Sequence, residues 1–140
     1  MTWMYKDTEF DTSMLGEDGI GFVYCITDKS TGKKYIGKKL VRTIRKLPPL
    51  KGKKRKRRKV VDTDWKTYYG SSEEVKALVE ELGEDNFHRE ILHICNSKGE
   101  MSYIEVKEIM LRDALISDEY YNGIIQCKIH HSHVRNLKGR

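Results

Sequence analysis

The strongest constraint on how this chain can fold is a pair of short apolar segments joined by turn chemistry. From Phe22 to Thr27, aromatic and β-branched residues alternate, with Phe22, Tyr24 and Ile26 on one side and Val23, Cys25 and Thr27 on the other. Asp28-Lys29-Ser30-Thr31-Gly32 follows, rich in residues that bond their own backbone or turn freely, and Lys34-Tyr35-Ile36-Gly37 returns. The period of two and the intervening turn predict an antiparallel hairpin in which Tyr24 and Tyr35 approach each other across the ladder. Strand tyrosines mostly pack, so the pair alone does not define a site.

Charge is segregated along the chain. Lys38 to Lys59 contains thirteen Lys or Arg and no acid, leaving 14 basic against 21 acidic side chains in the other 118 residues. The net charge of +6 therefore belongs to one element, and a polyanion with a charge about every 1.7 Å is its natural counterpart. Pro48-Pro49 stiffens the approach and Gly52 loosens it, so the segment reads as a basic loop at about 38–59, disordered until it meets phosphate. Lys53, Lys54, Arg55, Lys56, Arg57 and Arg58 are its candidate nucleic-acid contacts, against a solvated loop or a nuclear targeting signal.

The 140 residues suit one domain spanning 1–140 with one modest core. No stretch has the length and apolarity of a signal peptide or a membrane span, so an intracellular, cytoplasmic location without a membrane partner is expected. Cys25, Cys95 and Cys127 are too far apart for a C-x-x-C pair and fit free thiols in a reducing compartment. Four potential soft or imidazole ligands lie within Cys127–His133, but their offsets match no closed tetrahedral site, and the alternation from Ile124 to His130 suggests a strand edge.

After the basic loop, Ser71 and Glu74 form a capping-box pattern, and Val75, Leu78, Val79 and Leu82 recur at helical spacing until Gly83, predicting a helix over 73–82. Phe87 to Ile94 alternates, with Phe87, Ile91 and His93 on one face, and predicts a third strand. Lys98-Gly99 reads as a turn, and Ser102 to Ile116 as a second helix. Glu105 stands at the margin of that helix's apolar side, where a carboxylate is either paired or holds a metal; Glu108, flanked by Ile104 and Leu111, is its rival.

Gly21-Phe22-Val23-Tyr24, Tyr35-Ile36-Gly37, a glutamate four residues before an isoleucine (Glu105, Ile109) and Asn122 in Tyr120-Tyr121-Asn122-Gly123 resemble, in order, the motifs of GIY-YIG nucleases. Phe22 stands where the first motif has glycine. The resemblance spans about 21–125. It implies a small α/β (α+β) module, a three-stranded, mainly antiparallel sheet with flanking helices, that hydrolyses DNA phosphodiesters to 5′-phosphate and 3′-hydroxyl ends. In that reading Tyr24, its phenol lowered in pKa by nearby cations, takes the proton of the attacking water, Tyr35 positions the water, and Glu105 binds one Mg²⁺ or Mn²⁺. Arg45 or Arg42 stabilises the developing charge, with Lys66 or Lys34 as substitutes, and Asn122 pins the loop or the tyrosine network. Double-stranded DNA is the expected partner, and a homodimer is compatible with the sequence. A non-catalytic nucleic-acid-binding protein, an RNA- or structure-specific nuclease using the same site, and a basic module for an acidic protein partner are the other readings.

Overall fold

A computed structural model describes residues 2–137, the side chains of residues 44–46 excepted. Its strands are β1 (Trp3–Tyr5), β2 (Thr8–Glu9), β3 (Gly21–Asp28), β4 (Lys34–Leu40), β5 (Arg42–Leu47), β6 (Arg57–Asp62) and β7 (Phe87–Cys95), with helices α1 (Glu73–Leu82) and α2 (Lys98–Leu111). Five strands form one sheet in the order β2-β1-β7-β3-β4. The class is the expected α+β, but the sheet is larger than three strands because the N-terminus adds two. β1 runs parallel to β7 and turns back through Lys6-Asp7, both at positive φ (49° and 64°), which is the backbone of a tight primed hairpin turn built without its usual glycine.

β3 lies between β4 and β7 and is buried along nearly its whole length, as its aromatic and β-branched composition requires. Its alternate side chains feed two cores. Phe22, Tyr24 and Ile26 join Trp3, Phe10, Trp65, Phe87 and Ile91 on one face, where Leu78 and Val79 of α1 pack. Val23 and Cys25 join Ile36, Cys95, Met101, Ile104 and Ile109 on the other, beneath α2. The pairing of β3 with β7 shifts between Val23↔His93 and Tyr24↔Ile91, so Leu92 is an extra residue that resets which face β7 presents. His93 is consequently exposed instead of sharing a face with Phe87 and Ile91.

α1 spans the expected residues, but its cap is Ser72, which accepts from the Val75 N–H at 3.4 Å; Ser71 is engaged elsewhere. α2 starts earlier than its periodicity suggests. Ser97 caps it by accepting from Glu100 N–H (3.1 Å), and Glu100 in turn accepts from the Asn96 N–H, so Lys98-Gly99 lies in the first helical turn. It ends at Leu111 because Asp113 adopts φ 50°, with Asp113 N–H on Met110 O and Ala114 N–H on Ile109 O, the paired bonds of a Schellman stop.

The basic segment is a loop only over 48–56. β5 and β6 pair antiparallel as a separate two-stranded ribbon, with Thr43, Val60 and Val61 supplying β-branched residues. The 124–130 stretch takes no strand structure, and His131–Leu137 forms a short 3-10 segment.

Candidate active site

Tyr24 faces Gly37 across the β3–β4 ladder, and Tyr35 faces Ile26, two positions along on the same side of the sheet. Their ring centroids are 6.3 Å apart. The register makes Gly37 indispensable: a Cβ there would collide with the Tyr24 phenol oxygen, so the ring of one motif lies across the glycine of the other. Gly70, at φ +95°, closes the site from the α1 side, where a Cβ would meet Tyr35 at 3.2 Å and the Tyr24 hydroxyl at 3.4 Å. Tyr35 Oη shares a hydrogen bond with Ser71 Oγ at 2.9 Å, and the Tyr68 ring lies edge-on to Tyr24 at 6.0 Å.

Tyr24 is fully buried, and among the described residues its hydroxyl has no hydrogen-bond partner of good geometry. Burial pushes its pKa well above the ordinary value, and the Tyr68 and Tyr35 phenols and the Glu105 carboxylate push the same way. The expected lowering by cations is thus reversed, because burial outweighs the other influences and the charges acting on the phenol are those of other phenols and a carboxylate. Tyr35 is raised by burial too, partly offset by its Ser71 bond.

Glu105 projects from α2, and its charge acts on both tyrosines. Burial raises its pKa, and Lys38 is the cation that counters this. Lys38 itself donates to Ser102 Oγ at 2.7 Å, one helical turn before Glu105. The Glu105 carboxylate makes no hydrogen bond or ion pair among the described residues, whereas Glu108 is tied to Arg112 Nε at 3.1 Å. Of the two rivals, Glu105 is therefore the acid with open coordination. No group of three or more His, Cys, Asp or Glu among the described residues could hold a metal, the 127–133 tail included. A lone, half-buried, unpartnered carboxylate still suits Mg²⁺, which commonly takes one or two protein carboxylates and fills its sphere with waters and substrate phosphate oxygens.

Asn122 is buried and acts on the backbone. Its amide oxygen accepts from Ile36 N–H (3.0 Å) and its amide nitrogen donates to Ile36 O (2.8 Å). Together with Lys34 N–H on Glu119 O and Tyr121 N–H on Lys34 O, this makes residues 119–122 a surrogate strand along the free edge of β4. The cover stops at Ile36. By the alternation of the ladder the Lys38 N–H is the next to face that edge, and it has no partner there among the described residues.

The candidate cations disperse. Arg42 spends its guanidinium on the carbonyls of Gly19, Gly16 and Glu17 at 2.8–3.1 Å and holds the 16–19 loop. Lys34 sits opposite Thr27 on the face away from Tyr24, where its charge is among those acting on Cys25. Lys66 lies over Trp65. The backbone of Arg45 is on β5 facing Lys59, and its side chain is outside the described residues. Lys39 is the cation on the tyrosine face, 4.2 Å from the Tyr68 ring centroid and bonded to Asp64 at 2.6 Å, whereas Lys38 stands on the α2 side beside Ser102 and acts on Glu105. Sequence reasoning gives Tyr68 and Gly70 no role, reads Ser71 as a helix cap and counts Lys38 only within the basic segment; the Tyr68-Tyr69-Gly70 run is the local sign of a second tyrosine–glycine contact.

Residues 3–125 match the family model described as "Putative endonuclease segE, GIY-YIG domain". Neither the curated proteins nor the solved structures gave a significant match.

Proposed function

The chain belongs to the GIY-YIG endonuclease family of the segE type, a nuclease module whose substrate is nucleic acid, and from that premise we propose that it is a divalent-metal-dependent endonuclease of double-stranded DNA, leaving 5′-phosphate and 3′-hydroxyl ends. The observation that carries this reading is the convergence of the buried Tyr24 hydroxyl, the Tyr35–Ser71 pair and an unpartnered Glu105 whose charge acts on both tyrosines.

Glu105, with phosphate oxygens and water, would hold one Mg²⁺ or Mn²⁺, which when bound supplies Lewis-acid charge to the scissile phosphate. Tyr35 and Ser71 orient the attacking water. Tyr24 would receive its proton; burial above all, then the neighbouring phenols and Glu105, keeps the resting phenol protonated, so the base role requires positive charge brought in with the substrate and the ion. Lys38 contributes an ammonium and, at the open edge, a backbone N–H for the developing phosphorane charge. Asn122 fixes the β4 backbone on which Tyr35 and Gly37 stand.

A cleavage assay on supercoiled DNA with Mg²⁺, and with EDTA as control, tests the proposal. Tyr24→Phe and Glu105→Ala should each lower the rate by about a hundredfold or more, with far-UV circular dichroism and DNA binding unchanged, the usual scale for losing a general base or a catalytic metal. Glu108→Ala should keep its activity. Full activity in either of the first two variants defeats the assignment.

A further inference from the structure

Between Arg42 and Asp62 the β5–β6 ribbon carries eleven basic side chains and one acid. Its backbone register pairs Arg45 with Lys59 and Lys46 with Arg58, so the sequence assigns residues of like charge to paired positions. Such pairs oppose the hairpin in isolation and are relieved by a polyanion lying along it. Every residue from Lys51 to Val60 is exposed, so among the described residues no part of the body covers this stretch.

The tip is built, and it is not simply cationic. Lys53 N–H donates to Leu50 O at 2.8 Å and Gly52 has φ 80°, which makes Leu50–Lys53 a type II turn with glycine at its third position. Arg57 Nε holds the Pro48 carbonyl at 3.2 Å, fixing the turn against β6. The ordered turn presents Leu50, 53% exposed, behind Pro48-Pro49 and amid Lys51, Lys53 and Lys54. An apolar side chain held out on a hydrogen-bonded turn with cations as its neighbours along the chain is suited to a surface whose rim is phosphate and whose floor is partly apolar.

We infer that the β5–β6 ribbon is a major-groove probe for duplex DNA, its cations seated on the flanking phosphates and its turn presenting Leu50 to the base edges, where the thymine methyl is the apolar feature. The major groove, about 12 Å wide, accepts a two-stranded ribbon in undistorted B-form DNA, whereas the minor groove, about 6 Å wide, takes one only when the duplex is widened or kinked. Six residues per strand reach roughly 20 Å, more than the groove depth of about 8.5 Å. The inference rests on the nuclease reading for its substrate, and it adds a role for the ribbon in reading bases besides holding phosphates.

Binding of the full chain is measured in EDTA by fluorescence anisotropy on an alternating A·T duplex and on the same duplex with uracil replacing thymine. Leu50→Ser should weaken binding to the thymine duplex about fivefold to tenfold without changing the slope of log affinity against log salt. On the uracil duplex the two proteins should bind alike. Leu50→Met should restore most of the difference. Lys54→Gln with Arg55→Gln should weaken both duplexes equally and flatten the salt slope by about 2, at roughly 0.9 per phosphate contact. A minor-groove ligand such as distamycin should leave binding unaffected. Equal affinity of wild type and Leu50→Ser on the thymine duplex, or displacement by distamycin, overturns the inference. If the wild type still cuts supercoiled DNA in Mg²⁺, only the ribbon's role falls; if it neither binds nor cuts, the nuclease reading falls with it.

Discussion

Tyr24 and Gly37 stand opposite each other, and the tyrosine's phenol fills the space a side chain at 37 would need. Gly37→Ala therefore pushes on a fully buried ring in a core with no slack, a form of overpacking that costs about 1–3 kcal/mol. The expected outcome is a lower urea midpoint together with at least a tenfold loss of cleavage. A variant with unchanged activity would mean that the tyrosine's position is not critical. Both tyrosines were legible in the sequence because strand alternation puts them on one face whatever the rest of the chain does. Gly70 and Ser71 were not, since they arrive from 33 and 34 residues beyond Gly37 and no local periodicity encodes that approach. The direction of the Tyr24 shift is not legible locally either, since burial in the folded core sets it. Counting cations along the chain says nothing of where they end up, and most of those after Lys39 go into the ribbon.

Elements were recoverable where one local rule governed them. The limits of α1 follow from its apolar spacing and Gly83, whose N–H closes on Val79 O. α2 was displaced because its start is set by a capping box at Ser97–Glu100 and its stop by an aspartate in a position that glycine usually fills. β1 was missed because three residues are too few for a period, and its place depends on β7, more than eighty residues away. Among the elements the surrogate strand at 119–122 makes the sharpest prediction. Asn122→Ala strips both hydrogen bonds from the Ile36 backbone in a buried setting and should cost about 2 kcal/mol, in the range for leaving buried polar groups unsatisfied. Hydrogen exchange at the Ile36 amide should accelerate far more than at the β3 amides. Asn122→Asp keeps the acceptor for the Ile36 N–H but loses the donor to Ile36 O, and should fall between alanine and wild type.

Across the whole molecule, Asp28 joins the β3–β4 turn, the segment before β7 and the C-terminal region. It accepts from the Ser30 N–H and hydroxyl, from Asn86 Nδ2 and from Tyr121 Oη at 2.6–3.0 Å. Burial works to raise its pKa, but these four donors outweigh it and hold the carboxyl at about 2. A depressed carboxyl contributes stability that is present above the unfolded value of about 3.9 and is lost as pH falls through the folded one. Asp28→Asn should therefore cost about 2 kcal/mol at pH 7, and the gap between variant and wild type in urea melts should narrow as pH drops from 5 toward 2. Glu105 acts in the opposite sense: raised by burial, it removes stability as pH climbs through the ordinary carboxylate range. A gap that stays constant with pH would show that Asp28 serves only as a neutral hydrogen-bonding scaffold. The ribbon leaves and rejoins the body where Thr63 N–H meets Val41 O at 2.9 Å. Its two ends are thus already closed on each other, and a chain joined this way can gain, lose or trade the excursion between them without rethreading the sheet. Variation in length and sequence between residues 42 and 62 is the cheapest route by which such a fold could diversify its targets while the catalytic face stays as it is.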